Sequence, residues 1–309
     1  MTLVTVPTLP LDKLRSAFGG RLREQQPLAR FTSARIGGSA DALLVVNTLA
    51  ELAEAAQTLW DLGVSFFVLG GGSNVLISDA GVRQVVILNQ AAQVRFGEKG
   101  SPSVWAESGA GLGAIARQAA AKGLGGLEWA AGIPGTLGGA AVGNAGAHGG
   151  DLSTVLDLAE ILHHTQGRKE WSVADLAYGY RQSWLKGHPG EAVVLSARLK
   201  LAEKPASEIR SQMDTFLAYR RLTQPPGASM GSMFKNPPGE SAGRLIEAAG
   251  LKGKRIGSAQ ISPLHANFFL NLGDARATHV YALIQEARQA VSDRAGIELE
   301  LEIGLVGEW

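Results

Sequence analysis

The sequence predicts an α+β protein, and three observations lead there. Residues 42–69 run strand, helix, strand. Residues 155–172 read as a hairpin, followed by a long alternating strand at 192–201. Helices and short strands intermix beyond the polar segment AEKPAS at 202–207. A length of 309 residues suggests two domains or a three-part protein, and three parts are expected. These are 1–90 around the strand–helix–strand unit, 91–205 around the paired strands, and 206–309 as a C-terminal α+β domain.

The first part opens with a helix at Leu11–Phe18, stopped by Gly19-Gly20. Ala42 to Val46 is a continuous apolar run and reads as a buried strand. Thr48 is a good N-cap, and Glu51 stands three residues on, as in a capping box. Leu49, Leu52, Ala56, Leu59 and Trp60 form one apolar face before Gly63 ends the helix. Val64 to Leu69 completes the unit, and Val85–Leu88 and Val104–Glu107 are further strands. Gly109 to Ala114 partly matches a dinucleotide fingerprint. GLGGLEWAAG follows where a second parallel strand should, so the stretch reads as the entry of a helix reaching Lys122.

In the second part, Val155–His163 and Lys169–Ser172 flank a TQGR turn, and Ser172 with Asp175 caps a short helix. Ala192 to Leu201 alternates as a strand. In the third, Ser207–Arg221 is an amphipathic helix, and QPPGASMGSMFKNPPGE is a loop with a short extended core. Ser241 caps a helix ending at Gly250, and Ile256–Ser262 and His265–Asn271 are short strands. Ala277–Ala295 is helical with Gly296 at its end. Ile297–Val306 is expected as the last strand, with Glu298, Glu300 and Glu302 on one face.

Composition narrows the function. Lys and Arg number 29 against 28 Asp and Glu, so there is no basic footprint for nucleic acid or an anionic membrane surface. Any anionic ligand must be held by local groups. Cysteine is absent, which removes disulfides, thiolate catalysis, iron–sulfur clusters and cysteine zinc sites together. The six histidines show no metal-ligand spacing with carboxylates; His163 and His164 are expected on opposite faces of a strand, so no metal is expected. There is no Gly-x-Ser-x-Gly elbow for a hydrolase. The N-terminal MTLVTVPTLPLDKL lacks a basic region followed by an apolar one, so a cytoplasmic protein is expected.

Two glycine-rich stretches carry the strongest signal. Between Gly132 and Gly150, glycine recurs at 132, 135, 138, 139, 143, 146, 149 and 150, a density expected to exclude regular helix or central strand. A linker would carry Ser, Pro and charge, and the run is too Gly/Ala-rich to span a membrane. It reads as backbone approaching a bulky, partly anionic cofactor. The second stretch, Gly70-Gly71-Gly72-Ser73-Asn74, directly follows a strand. Its successive N–H groups and two polar side chains suit a pyrophosphate, while an ordinary glycine turn stays open. It lacks the Lys-Ser/Thr pair of a P-loop, which argues against nucleotide hydrolysis. Three polar candidates remain: Arg181 after a Tyr-Gly-Tyr turn, Ser232 in GSMFKNP, and Glu302 in the terminal segment. By residue type alone each reads first as structural: an arginine salt bridge, a turn serine and an exposed acidic strand face.

In order, the segments resemble the UDP-N-acetylenolpyruvoylglucosamine reductase family. The pieces are Gly70–Asn74, GLGGLEWAAGIPGTLGGAAVGNAGAHGG, Tyr180-Arg181-Gln182-Ser183, GSMFKNP, SPLHANFFLN and Glu302-Ile-Gly-Leu-Val-Gly. The resemblance covers nearly the whole chain, from Arg35 to Gly307. It implies a flavin-binding fold of the vanillyl-alcohol-oxidase type in two lobes up to about residue 205, then a C-terminal substrate domain. It implies non-covalent FAD held by Arg35, Gly70, Gly71, Gly72, Ser73 and Asn74, by Gly132, Ile133, Pro134, Gly135, Thr136, Gly138 and Gly139, and by Asn144 and Gly146. NADPH is implied as co-substrate and a UDP-sugar as substrate, in peptidoglycan precursor synthesis by a monomer.

The resemblance also assigns the chemistry. Ser232 would donate the proton, Arg181 would neutralise developing charge, and Glu302 would position the same intermediate. Tyr180, Arg221, Lys235 and Asn236 would hold the substrate. Three departures stand out. Ile303-Gly304 follows Glu302 where Val-Arg is usual. No long tyrosine-bearing insertion separates Arg181 from Ser232, which marks a shorter subtype. His148 occupies a position where an aromatic is common. A flavin-dependent oxidase of a sugar or hydroxy acid is the alternative on this fold, and a non-catalytic nucleotide-binding module a third reading.

Overall fold

Thr48 starts the second α-helix as its chemistry dictates: its hydroxyl accepts from the Glu51 N–H and opens Leu49–Asp61, after the expected Leu11–Phe18. The Glu51 carboxylate reaches back to the N–H of Asn47 at 2.7 Å, one residue before the cap. Leu52, Ala55, Ala56 and Leu59 are buried beneath this helix, and Gly63 in the left-handed region turns the chain into Phe66–Leu69. These details come from a computed structural model that describes residues 9–98 and 100–309. Residues 1–8, part of the N-terminal stretch read for a signal, lie outside the described residues.

Among the described residues, three larger sheets organise the fold. The first runs in the order Leu22–Pro27, Ser39–Val46, Val82–Asn89, Phe66–Leu69. The two strands around the capped helix are therefore not neighbours. Val82–Asn89 lies between them and pairs parallel with both, because its apolar run is buried almost throughout and fills the centre. The second sheet is antiparallel, in the order Gly167–Trp171, Leu156–His163, Ala192–Lys200, Ser103–Glu107, Val94–Phe96. The expected hairpin is its edge, and Ser172 and Asp175 form the expected capping box. The third sheet runs Ala228–Ser232, Phe268–Asn271, Ala259–Ile261, Arg255–Ile256. Helices Ala242–Ala248 and Ala277–Ala295 share its apolar core.

Four sequence expectations are corrected here. The glycine run does contain a helix, Leu137–Gly143. Thr136 caps it, Leu137, Ala140 and Ala141 are buried, and Asn144 ends it in the left-handed region. A Cβ at Gly138 would come within 2.9 Å of the Ser108 Cβ, so close packing overrides the poor helix propensity. Second, the terminal strand is only Gly304–Val306, paired parallel with Val75–Ile77. Before it, residues 297–300 form no strand and Leu301 makes only a single antiparallel bridge to Phe234, while the Glu298, Glu300 and Glu302 side chains go to different partners. Third, Ser241 makes no capping bond; the Asn236 carboxamide oxygen accepts from Ala242 N–H at 3.1 Å instead. Fourth, His163 and His164 do not face apart: their rings stack at 5.0 Å where the strand ends.

Two long-range contacts tie the parts together. Helix Ala206–Thr223 buries Ile209 and Met213 in the core of the second sheet. The Asp79 carboxylate accepts from the N–H groups of Ala277 (2.8 Å) and Thr278 (2.9 Å), and so caps the last helix from 198 positions away.

Candidate active site

The two glycine stretches face each other. A Cβ at Gly70 would lie 2.4 Å from Thr136 Oγ1, at Gly71 3.0 Å from Gly135 Cα, and at Gly135 2.6 Å from Ser73 Oγ. Glycine is demanded there because the two stretches touch, through the Thr136 and Ser73 side chains and at Gly71–Gly135 main chain to main chain, with positive φ at Gly72, Gly132 and Gly135. Ser73 Oγ donates to the Pro134 carbonyl at 3.3 Å and closes the seam. The N–H groups of Gly71, Gly72 and Ser73 have no protein acceptor among the described residues, whereas those of Leu137 and Gly138 already serve Ala110 and Ser108. The first stretch therefore offers main-chain donors to an anion, and the start of the short helix does not.

The second half of the run holds a different signal. Trp129 Nε1, His148 Nε2 and the Tyr178 hydroxyl are buried without a hydrogen-bond partner among the described residues. Buried polar atoms are nearly always satisfied, so these fit a bound group that brings its own donors and acceptors. Gly150 packs on the Trp129 ring, and His148 stacks on Phe216 at 4.2 Å. Burial, with Arg220 nearby, lowers the His148 pKa and favours its neutral ring. The same burial, with Asp151 beside it, raises the Tyr178 phenol pKa and keeps the hydroxyl protonated. The residues present thus fit a flavin nucleotide.

Beside this cradle three distant segments, at residues 74, 181 and 233, meet at Glu302. Arg181 Nε donates to its carboxylate at 2.7 Å, both side chains being largely buried. Arg181 also donates through Nη2 to the Gly146 carbonyl at 2.7 Å, within the glycine run. It holds φ +56°, a left-handed conformation a non-glycine residue keeps only when its surroundings impose it. The Glu302 N–H donates to Met233 O at 2.9 Å, directly after Ser232. Asn74 Nδ2 donates to the Glu302 carbonyl at 3.2 Å. Ser232 ends the strand Ala228–Ser232, and a Cβ on the preceding Gly231 would sit 3.9 Å from Ser73 O. The proton-donor candidate, the arginine, the glutamate and the pyrophosphate loop are thereby brought together.

The other predicted residues divide. Lys235 is buried and ion-paired to Glu300, while Glu298 accepts from Ser292, so the three glutamates do not act as one acidic face. Tyr180 is exposed, and its hydroxyl accepts from Asn236 N–H at 3.4 Å. Asn144 is buried with its amide spent on Gly179 O, Asp151 and Ser153 N–H, so its side chain organises the run from within. Arg35 is exposed with φ +56°, two residues from Ser33, whose N–H donates to Gly72 O. Arg221 is exposed on the last helical turn. Its neighbour Arg220 lies against Gly132, where a Cβ would be 3.3 Å from Arg220 Nε. Among the described residues no carboxylate pairs with Arg220, and burial lowers its pKa. Sequence reading missed Arg220; its phase three residues after buried-side Leu217 was the available signal. It also missed Lys186. His163 and His164 gather with Glu191, but His163 Nδ1 accepts from Thr165 N–H. In the neutral ring that leaves the proton on Nε2 and no lone pair there for an ion.

A family model for an FAD-binding domain matches residues 40–165, and one for the C-terminal domain of UDP-N-acetylenolpyruvoylglucosamine reductase matches 222–306. The chain is 41% identical to the reductase of that name from Chloroflexus aggregans, over 92% of this chain and 97% of that one. The chain belongs to the UDP-N-acetylenolpyruvoylglucosamine reductase family. The Synechococcus sp. member is 40% identical over 99% of this chain and 98% of its own. The crystal structure of the Thermus caldophilus reductase (MurB) superposes with a TM-score of 0.79 at 38% identity, covering 92% of this chain and 99% of that one. The fold is thus the expected FAD-binding type with a reductase C-terminal domain. Among the described residues, no helix is long and apolar enough to cross a membrane.

Proposed function

We propose that the Arg181–Glu302 pair and Ser232 carry out the second half of the family reaction, reduction of UDP-N-acetylenolpyruvoylglucosamine to UDP-N-acetylmuramate. The chain is an FAD-dependent oxidoreductase that uses NADPH. FAD, when bound and reduced, supplies the hydride for the vinyl CH₂ carbon of the substrate. The adjacent carbon then carries charge as an enolate and takes a proton from the Ser232 hydroxyl. A serine is a weak acid in water, but a positioned donor facing a strongly basic carbon is effective, and general acid catalysis contributes about 10²–10⁴-fold. Arg181, always charged and planar, offsets the carboxylate and enolate charge as it develops. Glu302 fixes the guanidinium through Nε and polarises the same site.

Lys235, Arg221, Tyr180 and Asn236 are assigned to the UDP-sugar, with Arg220 as a further cation for its phosphates. A chain of near-neutral net charge must supply such cations locally. Residues 1–90 and 91–205 are assigned as the two FAD-holding lobes and 206–309 as the substrate domain, in a cytoplasmic monomer. The observation that carries this reading is the 2.7 Å ion pair of Arg181 with Glu302, one main-chain bond from the Ser232 segment. The sugar-oxidase alternative gives no use for a proton donor there. Stopped-flow absorbance of Ser232→Ala tests it. Flavin reduction by NADPH should proceed as in the wild type, and reoxidation by the enolpyruvyl substrate should fall by roughly 10²-fold or more. Loss of both halves, or of neither, removes Ser232 from this role.

A further inference from the structure

Lys186 has no role in the mechanism above, yet it touches both of its charged residues. It sits in the single helical turn Trp184–Gly187, whose cap Ser183 accepts from the Lys186 N–H and donates to Val142 O at 2.6 Å. The turn is thereby fastened to the glycine run. From there the half-buried ammonium donates to Arg181 O at 3.2 Å and to Glu302 O at 3.4 Å. Among the described residues it forms no ion pair within 4.0 Å, so its charge is directed at main-chain carbonyls. Arg181, just before this turn, holds its left-handed φ, and the Glu302 carbonyl also accepts from Asn74.

We propose that Lys186 is a positioning residue: its ammonium bridges the main-chain carbonyls of Arg181 and Glu302 and sets the spacing of the two side chains that face the substrate. The inference rests on the roles assigned to Arg181 and Glu302. The physical reason is that the two carbonyls belong to segments 121 residues apart, held otherwise by one side-chain ion pair. A compact cation with three donors can serve both acceptors at once, and each bond is charge-assisted. It also stabilises the carbonyl orientation that the left-handed Arg181 requires. The charged groups around it divide: Lys235 and Arg181 repel the ammonium, and Glu302 and Glu300 attract it. Burial is the largest influence and leaves it below the ordinary lysine pKa of 10.5. The bridge should therefore weaken as pH rises through that lowered value.

The test follows reoxidation of the reduced holoenzyme by the enolpyruvyl substrate across alkaline pH, with thermal unfolding in parallel. Lys186→Met should slow the step roughly 10–100-fold and abolish the wild-type alkaline limb. Lys186→Arg should restore the rate to within about five-fold, also without the limb, because a guanidinium does not titrate there. A methionine variant within two-fold of wild type, or one that keeps the limb at the same pH, overturns the inference. Should the methionine variant fail to fold, the arginine variant decides: a limb at the wild-type pH overturns the proposal, and its removal supports it. Arg181→Lys and Glu302→Gln run alongside. If they leave the rate unchanged, the underlying assignment fails and this inference with it. If they lower it while Lys186→Met does not, the inference alone fails.

Discussion

The glycine cradle and the cluster around Glu302 lie side by side and are built on opposite principles. The cradle is two local stretches whose shape comes from missing side chains. Thr136 Oγ1, Gly135 and Ser73 occupy space that Cβ atoms at Gly70, Gly71 and Gly135 would need. The cluster is made of side chains and main-chain groups drawn from residue 74, from 181–186, from 233 and from 302, four segments far apart in sequence. Steric exclusion fixes the first, and directional hydrogen bonds fix the second. Damage to the cradle should therefore appear as lost flavin and stability, and damage to the cluster as lost chemistry with flavin retained.

The largest expected effect is on chemistry. Arg181→Ala removes the cation and leaves the largely buried Glu302 carboxylate unpaired. Reoxidation of the reduced enzyme by substrate should fall roughly 10²–10³-fold while the bound-flavin absorbance is kept. A variant that purifies without flavin would dissolve the distinction between the regions. Next comes the cradle. Gly72 holds φ +59°, and a Cβ there would lie 2.2 Å from Phe31 O. Gly72→Ala should cost about 2–4 kcal/mol and lower both the melting temperature and the flavin-to-protein ratio. Wild-type flavin content in that variant would show that the close approach of Gly72 to Phe31 is not needed for the cradle.

A smaller effect is expected at Asp79, which belongs to neither region but joins the first lobe to the last helix. Burial raises its pKa, but the N–H groups of Thr278 and Ala277 outweigh that and hold it below the ordinary 3.8. A depressed carboxyl pKa contributes stability that is complete above the ordinary aspartate range and is lost as pH falls through the depressed value. Asp79→Asn should cost about 1 kcal/mol near neutrality, and the gap in urea stability should shrink toward strongly acid pH. A gap that stayed constant with pH would assign the effect to shape rather than charge. The smallest effect is at Gly304. Its φ is not left-handed, and a Cβ there would make only ordinary contacts, 3.8 Å from Val75 Cγ1 and 3.9 Å from Asn74 O. Gly304→Arg should fold, gain up to about 1 kcal/mol from the strand position, and change the flavin spectrum slightly beside Asn74. A loss of stability there would mean that the glycine is required by the cradle after all.

How far each region could be read in advance follows from the same contrast. The Thr48 cap, the Ser172–Asp175 box, the hairpin and the Gly296 end of the last helix are set by neighbours a few residues apart, and they form as expected. The terminal strand does not: Glu298, Glu300 and Glu302 are taken by Ser292, Lys235 and Arg181, and partners from three other segments outweigh local β propensity. The helix inside the glycine run was hidden for a similar reason, since burial of Leu137, Ala140 and Ala141 outweighs propensity. Arg220 and Lys186 were missed because nothing in their residue type separates them from the solvent-facing cations around them.

By itself the sequence determined the α+β class, the glycine stretches with their need for close backbone approach, and, through the order of its motifs, the reductase family. Those properties live in runs of adjacent residues, where sterics and short hydrogen bonds act. Only the tertiary structure decided that Val82–Asn89 separates the two strands of the first unit and that Asp79 caps a helix 198 positions away. It alone brought Arg181, Lys186, Asn74 and the Ser232 segment to the main chain and side chain of Glu302. Such contacts are selected by the packing of whole sheets, and no local pattern encodes them.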